Sequence, residues 1–111
     1  MKDKELLEFA AKAVGIKGKY TNAFSGDYYD CRNLSRGVET EHGELWNPLD
    51  YGDDALGLAV DLDIPIIPES CNGTIWIRKG DLQLFEPIGS DKQAATRRAI
   101  VRAAAHMGAE L

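Results

Sequence analysis

Acidic side chains are concentrated in residues 45–60, and they are the first candidates for chemistry in this chain. Asp50, Asp53 and Asp54 follow an aromatic residue and a turn-forming pair, Trp46-Asn47-Pro48. Paired carboxylates can act as a general acid and base. However, an apolar helical pattern starts directly after them, and carboxylates are favoured at a helix start because unpaired amides and the positive dipole end lie there. Helix capping therefore explains these acids more simply than catalysis does.

Arg97 breaks the pattern of the segment in which it lies. On a helical wheel it falls inside the apolar stripe of the last predicted helix. The residues that align on the polar face, which we expect to contact solvent, are Arg98, Arg102 and His106. A guanidinium inside an apolar stripe needs a partner, because removing an unpaired charge from water is very costly. The nearest dense supply of carboxylates is the group around Asp53.

Three interpretations of Arg97 stay open at this point. In the first, it pairs with those carboxylates and clamps the last helix against residues 46–54. In the second, it anchors a small anion or polar ligand in a pocket with Trp46, Asn47, Asp53 and Asp54, since Arg matches carboxylate and phosphate bidentately and Trp offers a stacking face. In the third, its charge extends to the surface along the aliphatic stem.

The other reactive residue types do not form a recognisable site. Cys31 and Cys71 have no metal-ligand spacing and are too few for a disulfide framework, so we interpret both as reduced thiols. His42 is isolated from them. The sequence contains no Ser-His or Cys-His arrangement, Gly-rich phosphate loop or metal-ligand motif that we recognise. It thus predicts a non-catalytic protein without a cofactor or a metal.

Two segments at the ends of the chain have the apolar periodicity of amphipathic helices. The first spans residues 3–14, with Asp3 as its cap and Gly15 as the left-handed residue after its end. The last begins at a capping box in residues 90–93, with Ser90 as the cap, and ends near Gly108.

A further helix begins between Asp50 and Asp53 and runs to about Leu62. Its predicted buried face consists of Leu56, Ala59, Val60 and, at the end, Leu62. Gly57 lies in the middle of this helix, where glycine costs about 1 kcal/mol relative to alanine. That cost indicates either a close approach by another backbone or a neutral tolerance.

Extended segments are predicted at residues 19–24, 38–40 and 65–68, and a hairpin joins residues 74–78 to residues 82–86. Apolar side chains on both faces of the hairpin indicate a sheet that is covered on both sides. The order of elements predicts an α/β fold: a three-layer α/β/α sandwich in which a small, mainly antiparallel sheet is flanked by three helices.

Length and charge limit the classes of function. A chain of 111 residues is expected to form one domain, residues 1–111. Its formal net charge of -5 weighs against nucleic-acid binding, since an acidic surface repels phosphate. No apolar run approaches the roughly 20 residues that a membrane span needs, and no signal-peptide pattern is seen. We therefore expect a cytoplasmic protein that does not bind membranes.

One stretch of the chain resembles a known group. Leu45-Trp46-Asn47-Pro48-Leu49, followed by Gly52-Asp53-Asp54-Ala55-Leu56 and Leu58-Ala59-Val60, resembles the signature of the phage ABA-sandwich domain proteins, which are close to the NinX-like proteins of lambdoid phages. Residues 94–105 resemble the last helix of the same group. The chain departs from it at Gly57, where a basic or polar residue is common.

The resemblance implies an α/β/α sandwich, a phage or prophage origin and a location in the host cytoplasm. It implies no activity, because the group has none established that could be carried over. Fold alone does not supply one.

Two hypotheses of function follow from the residues and the resemblance together. In the first, the protein is a phage or prophage accessory protein that binds a host or phage protein through its acidic surface and a long irregular segment, residues 25–44. Tyr28 and Tyr29 are either contacts in this surface or side chains that pack against the underside of their own loop. In the second, it binds or sequesters a nucleotide-like or other anion in the Arg97 pocket. A homodimer is compatible with either.

Overall fold

The computed structural model describes residues 1–24, 35–69 and 73–111. The predicted contacts Tyr28 and Tyr29, and both cysteines, lie outside the described residues. The helices are α1 (Asp3–Ala13), α2 (Gly52–Asp61) and α3 (Lys92–Ala109). The strands are β1 (Gly18–Phe24), β2 (Ser35–Thr40), β3 (Leu45–Trp46), β4 (Ile67–Glu69), β5 (Thr74–Lys79) and β6 (Leu82–Pro87).

The described strands form two three-stranded sheets with the orders β1-β2-β3 and β4-β5-β6. All neighbouring strands in both sheets are antiparallel. The predicted α/β class, with three helices and antiparallel strands, is therefore confirmed. The strands form two small sheets where a single sheet was predicted: β1 to β3, before α2 in the chain, make one, and β4 to β6, after α2, make the other.

Helix α3 connects the layers of the structure. It packs against α1, α2 and the β5–β6 hairpin, while α1 also packs on β1 and β2. The largest fully buried apolar side chains come from α1, both sheets and α3: Leu7, Val38, Ile75, Ile77 and Val101. One hydrophobic core thus joins both sheets through the helices.

Gly108 allows α1 and α3 to approach each other closely. A Cβ atom at this position would overlap the carbonyl oxygen of Phe9. The prediction that the last helix ends near Gly108 is confirmed, since α3 ends one residue later, at Ala109. Gly57, for which a close approach was considered, has open space where a Cβ would lie, with no neighbouring atom within 4 Å. The close backbone approach lies in α3 and not in α2.

The helix caps differ in part from those predicted. Asp91, not Ser90, caps α3, and its carboxylate accepts a hydrogen bond from the amide of Ala94 at 3.0 Å. Asp3 is the first residue of α1 and does not cap it, since the capping position is Lys2. The prediction for Gly15 is confirmed: its φ is 75°, a value that glycine adopts at little cost.

Helix α2 turns a different face to the core than predicted. Its buried residues are Ala55, Leu58 and Ala59. Leu56 and Val60, which were expected to be buried, are each 64% exposed. The small side chains of Ala55 and Ala59 face the core together with Leu58, and they leave the larger aliphatic groups outside.

The outer face of the β5–β6 hairpin is also more open than predicted. Ile75 and Ile77 are fully buried, as expected for residues that share the inner face. On the opposite face Trp76 stacks on Phe85 with ring centroids 6.0 Å apart, but Phe85 is still 53% exposed.

None of the helices in the described ranges combines the length and apolar character that a membrane crossing requires.

Candidate functional site

Asn47 organises the turn between β3 and α2. It is fully buried, and its Oδ1 accepts hydrogen bonds from the amides of Leu49 and Asp50 at 3.0 and 3.2 Å. Its Nδ2 donates to the carbonyl oxygen of Arg36 at 2.8 Å and to Asp50 Oδ2 at 2.7 Å. Asn side chains commonly bond the backbone in this way in turns. Every polar atom of the Asn47 side chain is thus used within the fold.

Asp54 also has a structural partner at this turn. Its Oδ2 accepts a hydrogen bond from the backbone amide of Asn47 at 2.9 Å. Asp53, one residue earlier, is exposed. Trp46 lies in β3 opposite Val38 and is partly buried against the core. The structure therefore brings Asn47 and Asp54 together, while it uses Trp46 for packing.

Arg36 binds Asp50, one of the carboxylates that were expected to pair with Arg97. Its Nε and Nη2 donate to the two oxygens of Asp50, each at 3.0 Å, and its Nη1 donates to Asp3 Oδ2 at 2.6 Å. This bidentate geometry is the strong form of an Arg–carboxylate pair. Arg36 was missed at the level of sequence because residues 25–44 show no periodic pattern, although Arg36 lies in strand β2.

These contacts shift the pKa values of the three groups. The hydrogen bonds that Arg36 donates to Asp50 and then to Asp3 raise the pKa of Arg36. The hydrogen bond from Arg36 is the main reason that the pKa of Asp50 is lowered, and burial opposes it. Burial raises the pKa of Asp3, but hydrogen bonds from Arg36 and Arg98 together outweigh it, so the net shift is downward. All three groups are held in their charged forms.

Arg98 and Arg102 are not simply solvated, contrary to the prediction from the helical wheel. Arg98 Nη2 donates to Asp3 Oδ1 at 2.8 Å. Arg102 Nη1 lies 3.2 Å from Glu86 Oε1, and the Nε of Arg98 lies 3.8 Å from the same atom. The side chain of Glu86 is only 12% exposed. Two arginines of α3 therefore hold the start of α1 and the edge strand β6.

Arg97 does fasten α3 to the turn before α2, but it does so through a backbone group. Its Nε donates to the carbonyl oxygen of Leu49 at 2.9 Å. The guanidinium lines a cleft of about 340 Å³ together with Arg36, Arg98, Asp50 and others. Of the five predicted ligand residues, only Arg97 is among the described residues that line this cleft. Ligand binding by Trp46, Asn47, Asp53 and Asp54 together with Arg97 stays a prediction.

We call this group of paired charges the α3 charge cluster. Its members come from α1, β2, the turn before α2, β6 and α3, and they are Asp3, Arg36, Asp50, Glu86, Arg97, Arg98 and Arg102.

The second candidate surface is the apolar face of α2, which we define by the exposed Leu56 and Val60 and the groove beside them. The groove has a volume of about 500 Å³. Its further lining residues are Ala59, Asp63, Ile64, Pro65 and Ile66. All but one of these side chains are apolar, so the groove offers contacts mainly to an apolar partner.

The end of α2 shapes this groove. Asp63 has a left-handed backbone with φ of 51°, and the amide of Ile64 bonds the carbonyl of Ala59 at 2.9 Å. This is the Schellman arrangement that ends many helices, and it typically packs the residue after the left-handed one against the last turn. Lys79 Nζ donates to the carbonyls of Leu62 and Asp63 at 2.6 and 3.1 Å. The backbone carbonyls of Ala59, Leu62 and Asp63 at the end of α2 thus have hydrogen-bond partners.

A metal centre is not seen in the described ranges. Among residues 1–24, 35–69 and 73–111, no group of three or more His, Cys, Asp or Glu side chains is arranged to hold a metal ion.

Comparison of this chain with models of protein families, with curated proteins and with solved structures finds no match. Its function must therefore be inferred from its own residues.

Proposed function

We propose that this protein is a non-catalytic phage or prophage accessory protein that binds a host or phage protein in the host cytoplasm. The observation that carries this proposal is the exposure of Leu56 and Val60 at 64% each on one face of α2. Burying a side chain of this size is worth about 1.5–3 kcal/mol. Large exposed apolar patches mark interaction sites. A partner that covers this face would remove both side chains from water, and this burial would contribute to the free energy of binding.

The charges of the α3 charge cluster support a non-catalytic role. A general base works best when its pKa lies near the working pH. The pKa values of Asp3 and Asp50 are instead lowered, by hydrogen bonds from arginines that outweigh any effect of burial. These carboxylates are weak bases, and both oxygens of each accept hydrogen bonds within the fold, which suits a structural role.

The first test uses the full chain as an affinity reagent against a bacterial lysate. The double variant Leu56→Gln/Val60→Gln removes the apolar face, and Leu111→Gln is the matched control because Leu111 is also exposed, at 73%. We expect at least one protein to be retained by the wild type and by the control but not by the double variant. The proposal fails if all three chains retain the same proteins, or none.

The second candidate function is the binding of a small anion in the cleft beside Arg97. The observation that favours it is the fixed position of this guanidinium: Leu49 accepts from Nε, while no carboxylate in the described ranges is bonded to the two terminal nitrogens. Arg fits phosphate and carboxylate groups well.

A thermal-shift assay over nucleotides and inorganic phosphate, combined with native mass spectrometry, tests this candidate. We expect an increase in Tm for at least one anion with the wild type and none with Arg97→Met. Absence of any shift, together with a mass equal to that of the chain alone, would remove the candidate.

A further inference from the structure

The apolar face of α2 is bordered by three exposed carboxylates. Asp53, Asp61 and Asp63 are exposed at the two ends of the helix and beside the groove. In the described part of the chain, none of these three carboxylates is in an ion pair. They form an acidic rim around two aliphatic side chains.

The sequence around α2 strengthens this asymmetry. Residues 37–77 contain nine of the 18 acidic residues of the chain and none of its 13 Lys and Arg residues. Arg36 precedes this segment and is bound by Asp3 and Asp50. Arg78 and Lys79 follow it, and the Nζ of Lys79 is held by two backbone carbonyl oxygens at the end of α2. Of these three cations, Arg36 is therefore neutralised by carboxylates, and Lys79 is fixed at the end of α2 with its charge retained.

This charge pattern decides between the occupants that an apolar groove could take. A nucleic acid or an anionic lipid surface would bring negative charge against the acidic rim. A second copy of the chain, related by a two-fold axis through this face, would place two acidic rims together, and like charges across an interface are costly. A basic partner gains attraction from the same groups.

The geometry of the face suits a helical partner. Leu56 and Val60 are one turn apart, which corresponds to about 6 Å along the helix axis. They form one side of the groove that Pro65 and Ile66 also line. Amphipathic helices bind such grooves with apolar side chains at positions i, i+3, i+4 and i+7.

We infer that the apolar face of α2 binds a basic amphipathic helix, whose apolar side chains enter the groove while Lys and Arg residues beside them pair with Asp53, Asp61 and Asp63. This inference rests on the proposed function and adds the chemical class of the partner. The attraction between the opposite charges accelerates and orients the association, and burial of the aliphatic groups supplies most of the affinity.

A peptide-display selection with the full chain tests this inference while the natural partner is still unidentified. A library of random 18-residue peptides is selected on the wild type after removal of all peptides that bind Leu56→Gln/Val60→Gln. We expect the retained peptides to be enriched in Lys and Arg and to place apolar residues at helical spacing. The inference is overturned if the retained peptides are neutral or acidic, or if none depends on the face.

Binding of one retained peptide is then measured by fluorescence anisotropy. The variant Asp53→Asn/Asp61→Asn/Asp63→Asn should weaken binding about tenfold and reduce its dependence on salt, because three surface ion pairs are lost. The matched control is Glu5→Gln/Glu8→Gln/Glu110→Gln, which changes the net charge equally at exposed sites elsewhere. Equal affinities for both triple variants would overturn the inference.

The two proposals fail in different ways. If a lysate protein is lost with Leu56→Gln/Val60→Gln but binds equally to both triple variants at every salt concentration, the face binds a protein and the partner is not basic. If no lysate protein depends on the face, the proposed function itself is wrong.

Discussion

The α3 charge cluster and the apolar face of α2 differ in whether their side chains have partners within the protein. In the cluster, four arginines are bonded to carboxylates or to backbone carbonyls of the same chain. On α2, two aliphatic side chains remain mostly in solvent. Charged groups can be satisfied inside a small protein by their neighbours, whereas apolar groups gain only when something covers them. The surface that can still gain from a partner is therefore the one without paired charges.

The largest expected effect concerns the turn that supports the cluster. Asn47→Ala should lower the free energy of unfolding by about 3 kcal/mol, because the carbonyl of Arg36 and the amides of Leu49 and Asp50 lose their partner in a buried site. Urea denaturation monitored by circular dichroism measures this change. Asn22→Ala, in an exposed part of β1, is the control and should change stability little. Similar losses for both variants would mean that the buried hydrogen bonds of Asn47 contribute no more to the free energy of unfolding than an exposed side chain does.

The same substitution should have opposite signs in α3 and α2. Gly108→Ala should destabilise the protein by about 1–3 kcal/mol, since the added Cβ would overlap the carbonyl of Phe9. Gly57→Ala should stabilise it by about 0.5–1 kcal/mol, because the site is open and alanine is the better helix former. Thermal and chemical unfolding of both variants give the comparison. Equal effects would contradict the close packing of α1 on α3.

A smaller effect is expected from pH. The pKa values of Asp3 and Asp50 in the folded protein are lowered from the ordinary 3.8. Their ionised forms therefore stabilise the fold fully above that value, and this contribution is lost as the pH falls through the lower pKa values of the folded state. Because both groups are partly exposed, the loss should be on the order of 1 kcal/mol.

Unfolding measured between pH 6 and pH 2 checks this dependence. The double variant Asp3→Asn/Asp50→Asn should be less stable at pH 6 and should lose less stability on acidification than the wild type. A parallel decline of the two proteins would show that other carboxylates dominate.

The smallest change in stability is expected on the binding face. Leu56→Gln/Val60→Gln should alter the free energy of unfolding by no more than about 0.5 kcal/mol, since both side chains are already in solvent. Denaturant titration measures this value. A loss of more than about 2 kcal/mol would mean that the two residues are part of the core, and the contrast with the α3 charge cluster would disappear.

Much of the fold could be predicted from periodicity. The helices, the hairpin and the left-handed Gly15 are governed by local rules of spacing and capping, so they were found within a few residues. The buried face of α2 could not be predicted in the same way. Leu56, Ala59 and Val60 fit one apolar stripe, and Ala55, Leu58 and Ala59 fit another. The local sequence contains nothing to choose between the two stripes.

The candidate sites depended even more on tertiary contacts. The sequence indicated that Arg97 needs a partner and that carboxylates are dense around the start of α2, and both statements hold. It did not reveal that Arg36 forms the ion pair with Asp50 and that Arg97 donates a hydrogen bond to the carbonyl of Leu49. Residues 36 and 98 are far apart in sequence from Asp3, the carboxylate that they share.

By itself, then, the sequence determined the class of fold, the positions of the helices and the concentration of acidic residues around α2. Those properties follow from short-range periodicity and from composition. Only the tertiary structure decided which guanidinium pairs with which carboxylate and which face of α2 is exposed to solvent. Both depend on how elements that are far apart in sequence pack together, and local sequence patterns do not contain that information.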